Sequence, residues 1–370
     1  MESFLKIIFF MRFLHRFLLK LQYHLLFKNS CFFRKDFEFE KVTIAASKKT
    51  ILKDPKNILK DNLLWSPPSW FREKTSNEII IYQLKKSFIT TDGVIIKKFD
   101  SFSPSIVYSN FKKRFNHDYA YHQLKQQKHK IESDIFLIWD HWAKENYFHW
   151  MIDSLSRLII AIEFNSTPCV VLHESMPNFI SETLKAFPEI KSISIKKNTL
   201  ITSENIYMPG YVISSGFMKK DFGKKVRNKL LNYLSKINLT IDKGDKIYVS
   251  RSKQKIRKLI NEEKLIEVLI SKGYSVINFE DYSFWEQVNI MSNASILISP
   301  HGSNLVNMLF MKENSTIIEI NKTDTQNATL CYWSMAEALE FDYYYIPAMT
   351  LDDNFVADDQ LIESIKSIII

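Results

Sequence analysis

Three short segments of this 370-residue chain carry side chains whose types and spacing could do chemistry. In N-Y-F-H-W-M-I-D-S-L-S-R (146–157), His149, Asp153 and Arg157 fall at i, i+4 and i+8, on one face of a helix. An imidazole beside a carboxylate can serve as a general base, the carboxylate orienting or charging its neighbour. The plainer reading is an i, i+4 Asp153–Arg157 pair, with His149 capping or packing. In Y-V-S-R-S-K-Q-K-I-R-K (248–258), five cations lie between Arg251 and Lys258. Guanidinium forks bind a diphosphate bidentately, although a charge run also describes a solvated face. In I-L-I-S-P-H-G-S-N-L (296–305), a buried strand runs through His301-Gly302 into a helix. Gly302 suits a sharp turn or the close approach of a ligand, and free N–H groups at the helix start make an anion site. The competing reading is a tight strand-to-helix connection with Ser303 as N-cap.

The elements that must position these residues follow from hydrophobic patterning. From about residue 78, β-branched runs (Glu78 to Tyr82, Val94 to Lys97, Ile135 to Trp139, Cys169 to Leu172, Ile206 to Met208) alternate with helical stretches at 147–163 and 177–187. A basic helix, Lys219 to Ile237, then precedes Lys243-Gly244-Asp245, a plausible boundary. The second half repeats the pattern, with strands at 246–250, 275–279, 295–299, 316–320 and 343–347. The intervening helices are expected at 261–271, 283–292, 303–311 and 328–339. Strands alternating with helices predict an α/β domain in the first half, a Rossmann-like parallel sheet of about 100 residues in the second, and a closing helix within 351–370. In that last segment Leu361, Ile365 and Ile368 share a face. Residues 34–77 are polar and aperiodic and read as a connector.

Composition narrows the classes. Seven glycines in the whole chain compare with a usual share of about 7%. Neither a G-x-G-x-x-G fingerprint nor a G-x-x-x-x-G-K-[ST] loop can be drawn from them. Cys31, Cys169 and Cys331 form no disulfide framework and no C-x-x-C pair, which predicts a reducing compartment and no structural metal. The first 60 residues hold 13 Lys/Arg against 5 Asp/Glu, and the last 50 hold 2 against 9. Within residues 1–33, Arg12, Arg16, Lys20, His24 and Lys28 recur every four residues among Phe and Leu. The longest uncharged apolar run between Lys6 and Arg12 is too short for a spanning helix of about 20 residues. This pattern predicts an interfacial amphipathic helix on an anionic membrane surface, the alternative being a helix docked on the protein's own body. Nucleic-acid binding finds no motif beyond the basic and aromatic residues, and none is expected.

Taken in order, N-Y-F-H-W-M-I-D-S-L-S-R-L (146–158), Y-V-S-R-S with R-K-L-I-N-E (248–263), F-W-E-Q-V (284–288), I-S-P-H-G-S-N-L-V-N-M-L-F (298–310) and I-I-E-I (317–320) resemble glycosyltransferase family 61. The likeness covers roughly residues 80–345, departs slightly at Ser303-Asn304, where the family commonly has a small residue, and excludes the N-terminus. It implies a GT-B-type fold of two facing Rossmann-like domains: an acceptor domain at 78–240 and a nucleotide-sugar donor domain at 241–350. It also implies an inverting reaction with a nucleotide sugar, usually a UDP-sugar, and no divalent metal. By the same resemblance Arg251, Arg257, His301, Gly302, Ser303 and Asn304 would line the donor diphosphate. Glu319 would lie near the ribose or sugar, and Asp153 or His149 would act as base, with Asp153 favoured because the family keeps a carboxylate there.

The chain's own residues agree with that chemistry. Inverting transfer needs one base on the acceptor hydroxyl and cationic or N–H stabilisation of the departing diphosphate. No D-x-D metal motif occurs; Asp352-Asp353 and Asp358-Asp359 lie in the acidic tail. The expected protein is a glycosyltransferase without a cofactor, acting on a glycan or lipid-linked glycan in surface polysaccharide synthesis, at the cytoplasmic face of a membrane. A non-catalytic nucleotide-sugar-binding component of a polysaccharide assembly is the alternative.

Overall fold

A computed structural model of the chain describes residues 39–46, 49–51, 73–75, 77–107, 109–212, 217–323 and 330–369. The amphipathic helix predicted over residues 1–33 and most of the 34–77 connector lie outside the described residues. What is described of that connector includes strands. Phe39–Ala45 forms strand β1 at the edge of a mixed sheet, and Lys49–Ile51 pairs with Glu73–Thr75 in a hairpin.

The chain is of mixed α/β class, with two larger sheets. The first contains β1, β2 (Ile79–Leu84), β3 (Ile135–Phe136), β4 (Cys169–His173), β5 (Lys191–Ile195) and β6 (Ile206–Pro209), in the order β1-β2-β6-β3-β4-β5. The pairings from β6 through β5 are parallel, whereas β2 runs antiparallel to β6. Beside it stands a smaller five-stranded sheet that includes Ile95–Lys97, Gln127–Lys130 and Thr199–Thr202. Its core packs Val94, Ile96, Ile106, Phe115 and Leu200.

The second large sheet is wholly parallel. Its strands β7 (Lys246–Val249), β8 (Ser275–Ile277), β9 (Ile296–Pro300), β10 (Thr316–Lys322) and β11 (Asp342–Ala348) take the order β8-β7-β9-β10-β11. Each matches an expected strand to within two residues at either end. Helices cover this sheet, so its central strands are apolar runs with little alternation, such as I-L-I-S-P. Helix Phe284–Asn293 begins with a capping box in which Ser283 and Glu286 satisfy each other's backbone N–H groups. Helix Glu263–Ser271 ends at Gly273, whose φ of 81° fits a C′ glycine. The expected closing helix is shorter than its apolar pattern. Asp359–Lys366 is helical and buries Leu361 and Ile365, whereas Asn354–Val356 is a strand beside Leu259–Ile260. Cys169 and Cys331 are buried free thiols. Among the described residues no helix is long and apolar enough to cross a membrane.

Candidate functional site

The strand order of the parallel sheet reverses between β7 and β9. Connections leaving their C-terminal ends diverge there and open a crevice, the usual ligand position in such sheets. Arg251 follows β7, and His301 and Gly302 follow β9. A carboxylate beneath the first connection holds it in place. Tyr248 Oη and Ser250 Oγ donate to Glu262 at 2.6 and 2.7 Å. Arg251 then turns inward and is 6% exposed. Its Nε donates to the Arg257 carbonyl at 3.0 Å and its Nη2 to the Ile256 carbonyl at 3.4 Å. Arg257 can present that carbonyl because its backbone is left-handed, with φ of 59°, and its N–H donates to the Asp353 carbonyl. Burial and the neighbouring Arg257 charge lower the Arg251 pKa from the usual guanidinium range. No carboxylate lies within ion-pair distance of Arg251 among the described residues.

Gly302 makes room for that guanidinium. A Cβ at Gly302 would collide with Arg251 Nη1 and Cζ. Its φ of 168° is extended backbone open to any residue, so space, and not a sharp turn, requires glycine here. The segment Ser303–Phe310 is a 3₁₀ helix, Gly302 occupies the N-cap position, and Ser303 is the first helical residue and no cap. Asn304 Nδ2 is enclosed and has no hydrogen-bond partner. In the basic run only Arg251 is buried; Lys253 pairs with Asp281 at the surface, and Arg257 is exposed.

His301 is held from behind. Its Nδ1 lies 2.5 Å from Glu319 Oε1, and the same carboxylate accepts from Asn321 Nδ2 at 2.9 Å and from Tyr343 Oη at 2.5 Å. Parallel pairing explains the meeting, because Ser299 and Pro300 lie beside Glu319 and Ile320, and His301 N–H donates to the Ile320 carbonyl. Glu319 is fully buried, and its carboxylate meets His301.

The segment that carries His149 and Asp153 is not one regular helix. Tyr147–His149 is α-helical, Trp150–Ser154 is a π turn, and Leu155–Phe164 is α-helical again. Asn146 caps the start by accepting from His149 N–H. The i→i+5 bonding of the π turn widens the helix around Asp153, and His149 Nδ1 lies 2.8 Å from Asp153 Oδ2, both side chains being buried. Arg157 does not follow the helix-pair reading: Nε and Nη2 donate to the carbonyls of Pro209 and Leu137, at 2.7 and 3.0 Å. It also stacks over the Tyr211 ring at 5.0 Å.

Two contacts bring the first and third segments together. Tyr147 Oη donates to Asn307 Oδ1 at 2.6 Å, and Asn307 in turn donates to Gln287. Tyr332 stands between Phe148 and His301, with ring centroids 5.5 and 5.1 Å away. Sequence reasoning missed Tyr332, Asn307, Asn321 and Tyr343. Asn307 sits inside the S-N-L-V-N string, and its second asparagine was a visible signal; the others stand on strands and a helix read only as core.

The Glycosyltransferase 61 family model matches residues 147–318, which hold the His149–Asp153 pair, Arg251 and the His301-Gly302 connection. The family resemblance is thereby shown. The chain is also similar to proteins named "Protein O-linked-mannose beta-1,4-N-acetylglucosaminyltransferase 2". It is 24% identical to that of Xenopus laevis over 213 residues, covering 50% of this chain and 37% of the relative. With that of Takifugu rubripes it shares 22% over 253 residues, 58% of this chain and 43% of the relative. With that of Mus musculus it shares 31% over 80 residues, 21% of this chain and 14% of the relative. The chain covers less than half the length of these relatives.

Proposed function

We propose that this chain, a glycosyltransferase family 61 relative over residues 147–318, is an inverting glycosyltransferase that uses a nucleotide sugar, UDP-linked. The acceptor is a glycan or lipid-linked glycan of surface polysaccharide synthesis. The observation that carries this reading is Arg251: a buried cation, fixed by two backbone carbonyls, beside a second cation and without a carboxylate. Such a group is stabilised by an anion brought into the crevice. A diphosphate fits its fork, and Asn304 Nδ2 is a further donor waiting for an acceptor atom.

In this reading the two large sheets belong to the two lobes of a GT-B arrangement, 78–240 for the acceptor and 241–350 for the donor. Asp153, or His149 paired with it, takes the proton of the acceptor hydroxyl. The hydroxyl oxygen attacks the anomeric carbon from the face opposite the nucleotide and forms the new glycosidic bond. The bond to the diphosphate breaks as its electron pair leaves with the phosphate. Arg251 and the donors around His301 and Asn304 stabilise the charge that develops there, a task metal ions perform in other transferases. Metal independence is thus part of the proposal, as is attachment of residues 1–33 to the cytoplasmic side of a membrane. The relatives' name makes N-acetylglucosamine the first sugar to test.

Calorimetry provides the test. UDP should bind with EDTA present, and Arg251→Ala should weaken binding roughly 10- to 100-fold, the range for a charge-assisted hydrogen bond. Unchanged binding in that variant removes the site. Donor binding with neither transfer nor donor hydrolysis would leave a binding protein in place of an enzyme.

A further inference from the structure

His301 and Glu319 form a second imidazole–carboxylate pair, on the opposite side of Tyr332 from Phe148 and His149. The Glu319 carboxylate is fully enclosed between β9 and β11, and three donors converge on its two oxygens: His301 Nδ1, Asn321 Nδ2 and Tyr343 Oη. A carboxylate surrounded in this way is an acceptor only, which assigns the proton to Nδ1 of His301. Asn321 Nδ2 also approaches Nδ1, at 3.2 Å, but its 2.9 Å bond to Glu319 is the shorter. These are two donors sharing one oxygen. Burying a carboxylate calls for a compensating positive charge, and among the described residues His301 is the group bonded to it that can carry one. The other ring nitrogen, Nε2, has no hydrogen-bond partner among the described residues and is not among the fully enclosed polar atoms. Gly302, next in sequence, lies against the Arg251 guanidinium, which puts the His301-Gly302 connection beside the proposed anion site.

We infer that Glu319 is a positioning residue acting through His301: it fixes the ring by Nδ1–H and holds it as an imidazolium whose Nε2–H donates to the leaving diphosphate. The inference rests on the donor-site reading above and adds to it the role of a group that never meets substrate. No covalent step is added; the proton stays on Nε2 while the phosphate oxygen gains charge and the hydrogen bond strengthens. Asn321 and Tyr343 occupy two further carboxylate lone pairs, one on each oxygen, which keeps Glu319 from turning away.

The test is a double-mutant cycle with an independent spectroscopic readout. His301→Ala and Glu319→Gln should each lower kcat roughly 100-fold, as removal of one transition-state donor does, with donor KM little changed. Together they should cost no more than His301→Ala alone. Losses that multiply would overturn the inference, because Glu319 would then act by a route of its own. Equal losses in kcat and KM, together with a lowered Tm, would likewise reduce Glu319 to a structural part. Histidine-selective ¹⁵N NMR of the wild-type protein, with the His301 signal assigned by its absence in His301→Ala, needs no folded Glu319 variant. Both ring nitrogens should carry protons when UDP is bound, and an unprotonated Nδ1 would overturn the assignment. If wild-type protein binds no UDP, the donor-site reading falls, whereas the ring signal of the free protein still tells whether Glu319 holds Nδ1–H.

Discussion

The phenol of Tyr147 donates to the amide oxygen of Asn307 at 2.6 Å, joining residues 160 apart in the chain. It ties the first turn of the His149 segment to the 3₁₀ helix that follows Gly302, and so fixes the pair His149–Asp153 relative to the Arg251 crevice. Tyr147→Phe leaves a buried amide oxygen unsatisfied, at a cost of about 1–3 kcal/mol. Chemical denaturation should show the loss as a lower midpoint with an unchanged slope. The same variant should slow transfer more than it weakens UDP binding, because the donor contacts stay in place.

Gly302→Ala keeps an allowed backbone, yet its methyl group needs the volume that the Arg251 guanidinium fills. The expected result is a folded protein whose UDP affinity falls as far as that of Arg251→Ala. Calorimetry on both variants compares them directly. Wild-type affinity in Gly302→Ala would mean that Arg251 binds from another position.

Asp153→Asn preserves the shape of the buried pair while removing the charge that would receive a proton. Transfer should drop by about 10²-fold or more, with UDP binding intact. Should turnover persist, His149 is the base and Asp153 its orienting partner. The 2.8 Å contact between them is compatible with either assignment.

Glu340 ends helix Cys331–Leu339 in a left-handed conformation and meets Lys220 and Lys224 at 2.7 and 2.8 Å. Hydrogen bonds to these two lysines pull its carboxyl from the usual 4.5 down to about 2. A depressed carboxyl contributes stability above its unfolded value and loses it as pH falls through the folded one. The contribution of Glu340 should therefore fade between about pH 4.5 and 2. Glu340→Gln should lower Tm at pH 6 but leave it unchanged near pH 2, and added salt should shrink the difference, since the group is exposed.

Much of the frame was legible because strands buried on both faces announce themselves as short apolar runs. All five strands of the parallel sheet, the Gly273 cap and the strand-to-helix passage at His301-Gly302 were read correctly in place. The same burial hid the role of Glu319. In I-I-E-I no alternation tells which way a side chain points, so a carboxylate inside the sheet reads like one at its rim. The π turn was equally silent, because His149 and Asp153 keep an i, i+4 spacing whether the helix is α or π. Arg157 looked like a surface ion-pair partner until tertiary structure supplied the carbonyls of Leu137 and Pro209. The strand Gln127–Lys130 carries four exposed polar residues and has no sequence signature of a strand at all.

The π turn at Trp150–Ser154 has a bearing on how such a site is kept or lost. It accommodates one residue more than an α-helix would over the same rise. In a helix of even pitch each residue advances about 100° around the axis. Because the turn absorbs its extra residue locally, deleting one residue there would restore the even pitch and keep both flanking helical segments in phase, while removing the widening around Asp153. The surroundings of the His149–Asp153 pair thus hang on a single codon, whereas the hold of Tyr147 on Asn307 does not.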